Sequence, residues 1–96
     1  MSVEQLLREK RAEIARIATR HGALNLRIFG SVARGDAGPK SDIDLLVDVG
    51  PVTTAWFPAG LILDLEEMLG RRVEVVTAQG LRDDLREHIL REAVPL

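Results

Sequence analysis

The most constraining feature of this 96-residue chain is the alternating segment 42–49. Asp42, Asp44 and Asp48 fall on one face of this segment together with Leu46, and the positions between them are all aliphatic. Because successive side chains of a β-strand point to opposite faces, the pattern predicts a strand with one apolar and one acidic face. The carboxylates of such a strand project together, away from the apolar core.

Helical periodicity and turn residues predict the elements around this strand. A helix over 3–21 opens with capping-box spacing between Ser2 and Gln5 and ends at Gly22. The remaining predicted elements are a strand over 24–29, a loop over 34–41, a helix over 58–69, a strand over 72–77, and an amphipathic final helix that carries Leu81, Leu85, Ile89 and Leu90. This order predicts an α/β fold in which helices pack on a small mixed sheet of three strands, or four.

Composition limits the class of protein. A chain of 96 residues can build one core, so we expect a single domain over residues 1–96. The absence of cysteine excludes disulfide frameworks, zinc–thiolate sites and thiol nucleophiles, and it fits a reducing, cytoplasmic location. A formal net charge of −2 argues against stable nucleic-acid binding, and the apolar stretches are too short to span a membrane.

The acidic face of segment 42–49 suits a divalent cation. Asp42 and Asp44 project from the same face with Cα atoms about 6.5–7 Å apart, so their carboxylates can converge on one ligand. Two carboxylates about 4 Å apart repel by roughly 4 kcal/mol at an effective dielectric constant near 20, and a bound cation offsets that repulsion. Hard oxygen ligands of this kind suit Mg²⁺, and Mn²⁺ also fits them.

Gly30 and Ser31 supply the complementary half of a site. A glycine directly after a strand lets the backbone approach a ligand closely, and the Ser31 hydroxyl and nearby amides can donate to phosphate oxygens. Arg34 and Lys40 can add charge-assisted contacts. A Gly-Ser pair alone is a common turn, and paired aspartates alone are usually a solvated strand edge. Their conjunction indicates a site for a metal-bound triphosphate.

These residues resemble a known superfamily. Gly30-Ser31, ten intervening residues and Asp42-Ile43-Asp44 form a pattern similar to that of the DNA polymerase beta-type nucleotidyltransferases. Arg34-Gly35 and the closing segment 89–96 look like the minimal nucleotidyltransferase (MNT) branch of that superfamily. The resemblance covers nearly the whole chain and implies a nucleotidyltransferase-like fold.

The resemblance also implies roles for individual residues. Gly30, Ser31 and Arg34 would bind the nucleotide triphosphate, and Asp42 and Asp44 would ligate two Mg²⁺ ions. The implied reaction is a two-metal transfer of AMP from ATP to an acceptor hydroxyl, which needs no protein nucleophile.

A third carboxylate on the next strand would complete the catalytic and metal-binding set. Glu74 is the candidate, because a charged residue between Val73 and Val75 is costly unless it has a partner. Many relatives carry aspartate here, so the extra methylene of Glu74 is a departure from the family pattern. In the alternative interpretation, Glu74 is an exposed strand-edge residue that pairs with Arg71 or Arg72.

Two main functions are compatible with the resemblance. The resemblance to MNT proteins implies a HEPN-domain toxin as partner, so the first interpretation is an antitoxin that transfers AMP from ATP to a hydroxyl of a HEPN toxin within a hetero-oligomer. The second is a non-catalytic module of the same fold that neutralises its partner by binding, which Glu74 favours. A small-molecule nucleotidyltransferase is a third interpretation, and the missing acceptor domain argues against it.

Several other residues are interpreted as structural. Asp48 is expected to face solvent at the far end of its strand, and the imidazole of His21 suits the negative end of the first helix. His21 and His88 each lack a histidine at ligand spacing. Trp56 and Phe57 are expected to pack in the core, with an anchor for another protein as the alternative.

Overall fold

The computed structural model of the chain describes residues 2–96. Its helices are α1 (Val3–His21), α2 (Gly30–Arg34), α3 (Ala59–Leu69) and α4 (Asp83–Glu92), and a 3₁₀ turn covers Ala78–Gly80. Its strands are β1 (Ala23–Phe29), β2 (Ile43–Val49), β3 (Val73–Thr77) and β4 (Val94–Pro95). Each helix and strand predicted from the sequence is present, and α2, the 3₁₀ turn and β4 are additional. The prediction is wrong for Leu81, which lies before α4 with an extended backbone that follows the 3₁₀ turn.

The four strands form one mixed sheet in the order β3-β2-β1-β4. Strand β2 runs antiparallel to β1 and parallel to β3, and α3 lies in the crossover that a parallel pair requires. Strand β4 pairs antiparallel with the other side of β1. The α/β class and the mixed sheet are therefore confirmed, with β4 as the fourth strand.

Helices α1 and α3 cover one face of the sheet, which is called the first face below. Ile43, Leu45 and Val47 of β2 point to this face and are at most 1% exposed, as the alternation predicted. Burying an aliphatic side chain of this size contributes about 1.5–3 kcal/mol, so this face holds most of the apolar stabilisation. The helix residues buried most completely in the same core are Ile14, Ala18, Leu61 and Leu65.

Local signals determine where α1 begins and ends. The Ser2 side chain caps the helix by accepting a hydrogen bond from the Gln5 backbone N–H at 3.1 Å. Gly22 ends the helix in the left-handed conformation with φ 91°, which glycine adopts without steric cost. Both boundaries agree with the sequence prediction.

Asp48 links two strands. Its carboxylate accepts hydrogen bonds from Asn25 Nδ2 at 3.0 Å and from Arg27 Nη2 at 2.8 Å. The structural interpretation of Asp48 is therefore confirmed, although the residue pairs with β1 instead of simply facing solvent. The carboxylate lies beyond Asp44 along β2 and is not part of the site described below.

His21 connects α1 to two later parts of the chain. The residue is buried, and its ring nitrogens lie 2.7 Å from Thr54 Oγ1 and 2.6 Å from Asp64 Oδ2. Thr54 belongs to the loop before α3, and Asp64 belongs to α3 itself. His21 is structural, as predicted, but its partners come from across the fold and not only from the end of its own helix.

The prediction of core packing is wrong for Trp56. This side chain is 86% exposed, and its backbone has a φ of 66°. The next residue, Phe57, packs against the core as predicted. Adjacent side chains in a tight turn point in different directions, so only one of the two aromatic rings reaches the core.

Helix α4 lies beside the second face of the sheet. None of its residues is buried, and Leu85 and Leu90 of this helix are 46% and 40% exposed. Leu46 of β2 also points to the second face and is fully buried there. Within residues 2–96, no helix is long and apolar enough to cross a membrane.

Candidate active site

Strand register places two of the candidate catalytic residues, Asp44 and Glu74, side by side. Asp44 of β2 lies opposite Phe29 of β1 and beside Glu74 of β3. All three lie on the second face of the sheet, because their neighbours Leu45 and Val75 are buried on the first. The parallel pairing of β2 with β3 brings Asp44 and Glu74 together, although 29 residues of intervening chain separate them in the sequence.

The electrostatics of Asp44 reflect this crowding. Partial burial, followed by the negative charges of Glu74 and Asp42, raises the pKa of Asp44 to about 6. Arg34 acts in the opposite direction, but its effect is smaller. Ionised Asp44 is therefore disfavoured in the folded chain, and a cation placed among these carboxylates would remove the penalty.

Two constraints require glycine at position 30: its backbone conformation and the close approach of Asp44. Strand β1 ends at Phe29, and Gly30 has a φ of 74°, which residues with a Cβ rarely adopt. A Cβ at this position would also overlap Oδ2 of Asp44. The glycine therefore lets the turn into α2 approach the Asp44 carboxylate, and this contact joins the two halves of the sequence motif.

A shallow depression of about 540 Å³ opens at this point of the surface. Polar and charged side chains from α2, from the loop before β2, from β2 and from β3 surround it. The lining residues are Gly30, Ser31, Arg34, Lys40, Ser41, Asp42, Asp44 and Glu74. The structure thus brings together all the residues that the sequence assigned to catalysis, to metal binding and to nucleotide binding.

The loop between α2 and β2 is held by Arg71. Its guanidinium donates to the backbone carbonyls of Gly38 at 3.2 Å and Ser41 at 2.8 Å. Arg71 is therefore engaged with this loop. The alternative interpretation expected Glu74 to pair with Arg71 or Arg72, and within residues 2–96 it forms an ion pair with neither. Glu74 itself is exposed on an edge strand, where that alternative placed it.

The carboxylates fit a divalent cation that is shared with a substrate. No three His, Cys, Asp or Glu side chains within residues 2–96 form a metal-binding cluster by themselves. Mg²⁺ is usually held by one or two carboxylates together with substrate phosphates, and it keeps several waters. The carboxylates of Asp44 and Glu74, with Asp42 at the edge of the same depression, provide a donor set of that kind.

Glu92 belongs to this region, and the sequence analysis did not assign it. Its Oε1 accepts a hydrogen bond from the Gly30 backbone N–H at 2.6 Å, and Arg34 Nη1 lies 3.2 and 3.3 Å from its two oxygens. The Gly30 bond and the charge of Arg34 lower the pKa of Glu92. A carboxylate in the last turn of a helix is unfavourable for the helix dipole, which is the one sequence signal that Glu92 has a partner elsewhere.

A second, more apolar cleft of about 500 Å³ joins the first at Asp44 and Glu74. It lies between β3, the 3₁₀ turn and α4. The apolar residues that line it include Phe29, Pro58, Val76, Leu81, Leu85 and Ile89. The paired carboxylates therefore stand at the junction of a polar depression and an apolar cleft.

Comparison with known proteins defines the class. Residues 8–96 match the family model described as "Nucleotidyltransferase domain". The chain therefore belongs to the nucleotidyltransferase family and is a nucleotidyltransferase enzyme. This family membership confirms the resemblance inferred from the Gly-Ser and Asp-x-Asp motifs.

Two curated relatives are similar over nearly their whole length. The chain is 38% identical over 88 residues to a candidate protein adenylyltransferase of Methanocaldococcus jannaschii, covering 92% of this chain and 95% of the relative. It is 33% identical over 92 residues to the protein adenylyltransferase MntA of Thermococcus cleftensis, covering 96% of this chain and 90% of that protein.

Solved structures share the fold. One described as a candidate minimal nucleotidyltransferase is 48% identical, with a TM-score of 0.86 over 100% of this chain and 97% of the other. Another, described as a toxin-antitoxin with AMP-PNP, has a TM-score of 0.75 at 19% identity and covers 88% of this chain and 69% of the other. At that identity the second likeness concerns the fold alone.

Proposed function

We propose that this chain is an antitoxin that transfers AMP from ATP to a hydroxyl group of a partner toxin. The observation that carries the proposal is the single depression in which the Gly30-Ser31 turn meets Asp42, Asp44 and Glu74. The names of the two curated relatives, both given as protein adenylyltransferases, support a protein as the acceptor.

The polar depression is proposed to hold the triphosphate. The Ser31 hydroxyl and the backbone N–H groups at the start of α2 donate to phosphate oxygens, and Arg34 and Lys40 supply positive charge. ATP is the proposed nucleotide, in agreement with the adenylyl group in the names of the relatives.

Asp42, Asp44 and Glu74 would hold the divalent cations, proposed as two Mg²⁺ ions, with Mn²⁺ as a substitute. Bound divalent cations neutralise phosphate charge and lower the pKa of an acceptor hydroxyl. The raised pKa of Asp44 supports a role in cation binding, because a group whose ionisation is disfavoured by like charges gains most from a positive partner.

The acceptor is proposed to enter from the apolar cleft. In an in-line displacement the attacking oxygen approaches the α-phosphorus opposite the leaving group, so pyrophosphate in the polar depression requires the acceptor to come from the other side. Glu74 lines both spaces and accepts the hydroxyl proton. The acceptor O–P bond forms, the bond from the α-phosphorus to the bridging oxygen breaks, and pyrophosphate leaves.

The partner is proposed to be a HEPN-domain toxin, with which the chain forms a hetero-oligomer in the cytoplasm. The fold shared with a solved toxin-antitoxin pair supports a toxin as partner, and the absence of cysteine is compatible with a reducing compartment. The whole site is proposed to belong to a single domain over residues 1–96.

Transfer of label tests the proposal directly. The protein is incubated with α-³²P-ATP, Mg²⁺ and the partner toxin, and label on the toxin is measured after electrophoresis. Asp42→Asn and Asp44→Asn should each reduce labelling by at least about a hundredfold, because each removes a proposed cation ligand. Asp48→Asn is the matched control, since it makes the same change on the strand and face of Asp44 but outside the depression, and it should label normally.

The second candidate is a non-catalytic module that neutralises its partner by binding. The extra methylene of Glu74 favours it. Neutralisation of the toxin that survives both Asp→Asn substitutions, with no label at any stage, would contradict the transfer reaction and support this alternative.

A further inference from the structure

Glu92 already occupies donors that a triphosphate needs. Its carboxylate extends from the last turn of α4 to the Gly30 backbone N–H, at 2.6 Å, and to the Arg34 guanidinium, at 3.2 Å. The Glu92 side chain is only 15% exposed, and His88 Nε2 lies 3.6 Å from its Oε2. An anionic group of the chain itself is therefore bound where the proposed function places phosphate oxygens.

The carboxylate and a phosphate compete for the Gly30 amide and for the charge of Arg34. The Gly30 amide has one hydrogen, which Glu92 accepts. The charge of Arg34 is partly neutralised by Glu92 and also by Asp36, whose Oδ2 lies 3.3 Å from Arg34 Nε. A triphosphate that enters the depression meets one more negative charge as long as Glu92 stays in place.

Helix α4 is attached loosely enough for the Glu92 carboxylate to move away from Gly30 and Arg34. None of the residues of α4 is buried, so the helix has few apolar contacts to break. The chain after Glu92 is held independently, because Val94 and Pro95 pair with β1. The carboxylate can therefore withdraw without unfolding the sheet.

We propose that Glu92 is an internal competitor of the nucleotide triphosphate and that it sets the affinity of the site for ATP. This inference rests on the proposed function, because it requires that the polar depression binds a triphosphate. Nucleotide binding displaces the Glu92 carboxylate from Gly30 and Arg34.

The test compares nucleotide affinities in the absence of any acceptor. Glu92→Gln keeps an oxygen that can accept from the Gly30 amide but removes the charge, so it separates competition from a purely structural role. Calorimetric titration with ATP and Mg²⁺ should show about tenfold tighter binding for this variant, equivalent to about 1.4 kcal/mol. Glu87→Gln, at an exposed position of the same helix, makes the same change in net charge and should bind ATP like the wild type.

Binding of AMP separates competition for the polyphosphate from a general change in affinity. AMP carries one phosphate group instead of three, so Glu92→Gln should change the affinity for AMP less than the affinity for ATP. Glu92→Ala, which removes both the charge and the contact, should bind ATP at least as tightly as Glu92→Gln. Thermal unfolding of each variant establishes that it is folded.

The outcomes distinguish this inference from the proposed function. ATP affinity that is unchanged or weaker in both Glu92 variants overturns the competition, whatever the transfer assay shows. Tighter ATP binding by the Glu92 variants, when neither they nor the wild type label the toxin, supports the competition and contradicts the transfer reaction. If neither the wild type nor the variants bind ATP, both the competition and the proposed nucleotide site fail.

Discussion

The two faces of the sheet are built for different purposes. On the first, Ile43, Leu45 and Val47 are buried under α1 and α3, and the contacts are almost entirely aliphatic. On the second, Asp44 stands beside Glu74 under a helix with no buried residue, and the burial and like charges that surround Asp44 disfavour its ionisation. Because adjacent residues of one strand face opposite ways, a single segment can contribute stability on one side and reactive groups on the other.

Truncation of leucines on the two faces gives the largest expected contrast. Leu65→Ala should lower the free energy of unfolding by about 2–5 kcal/mol, because it opens a cavity in the core of the first face. Leu85→Ala, on the exposed helix α4, should change it by no more than about 0.5 kcal/mol. Urea denaturation midpoints at unchanged m-value measure both. Equal losses would contradict the assignment of stability to the first face.

The two histidines provide a smaller contrast between the same regions. His21→Ala should cost about 1–3 kcal/mol, because it removes the ring and leaves Thr54 and Asp64 without their buried partner. His88 is 67% exposed on α4, so His88→Ala should stay within about 0.5 kcal/mol of the wild type. The same denaturation experiment measures both variants, and a larger loss for His88 would show that α4 is more firmly packed than its exposure indicates.

Asp44→Asn should give the smallest change in the free energy of unfolding, and it should stabilise the fold where the other substitutions destabilise it. The pKa of Asp44 is raised from 3.8 to about 6, so the folded chain binds this proton more tightly than the unfolded chain, and ionisation destabilises the fold as pH rises across that interval. Above about pH 6 the variant should be more stable by about 1 kcal/mol after allowance for solvent screening, or by roughly 5 °C in melting temperature.

Melting curves at several pH values check this prediction. The difference between Asp44→Asn and the wild type should narrow as pH falls from 6 towards 3.8, because Asp44 then becomes protonated in both states. Mg²⁺ should raise the melting temperature of the wild type more than that of the variant. A variant that is less stable than the wild type at pH 7.5 would contradict the account of Asp44 as a repelled carboxylate.

Most of the fold was predictable because its signals are local. Ser2 caps α1 through a residue three positions away, and Gly22 ends the helix through its own backbone conformation. The period-two alternation of segment 42–49 needs only the geometry of a single strand. The candidate site was predictable to the same extent, because Gly30, Ser31, Asp42 and Asp44 follow one another at a fixed spacing on adjacent elements.

The features that the sequence did not predict depend on distant or crowded neighbours. Trp56 and Phe57 are equivalent in apolar character, and only the turn geometry decides which of them reaches the core. Asp64 contacts His21, although the two residues are 43 positions apart in the sequence. No local pattern identifies such a pair, since the pairing exists only after α3 has packed against α1.

By itself the sequence determined the order of the elements, the polarity of the two faces of β2 and the residues that could meet a metal-bound triphosphate. Only the tertiary structure decided that Glu74 stands beside Asp44 and that the Glu92 carboxylate accepts a hydrogen bond from Gly30, 62 positions away. The physical reason is that backbone preference and side-chain alternation act over a few residues. Contacts between β3, α4 and the Gly30 turn arise from the parallel crossover and from the packing of a whole helix.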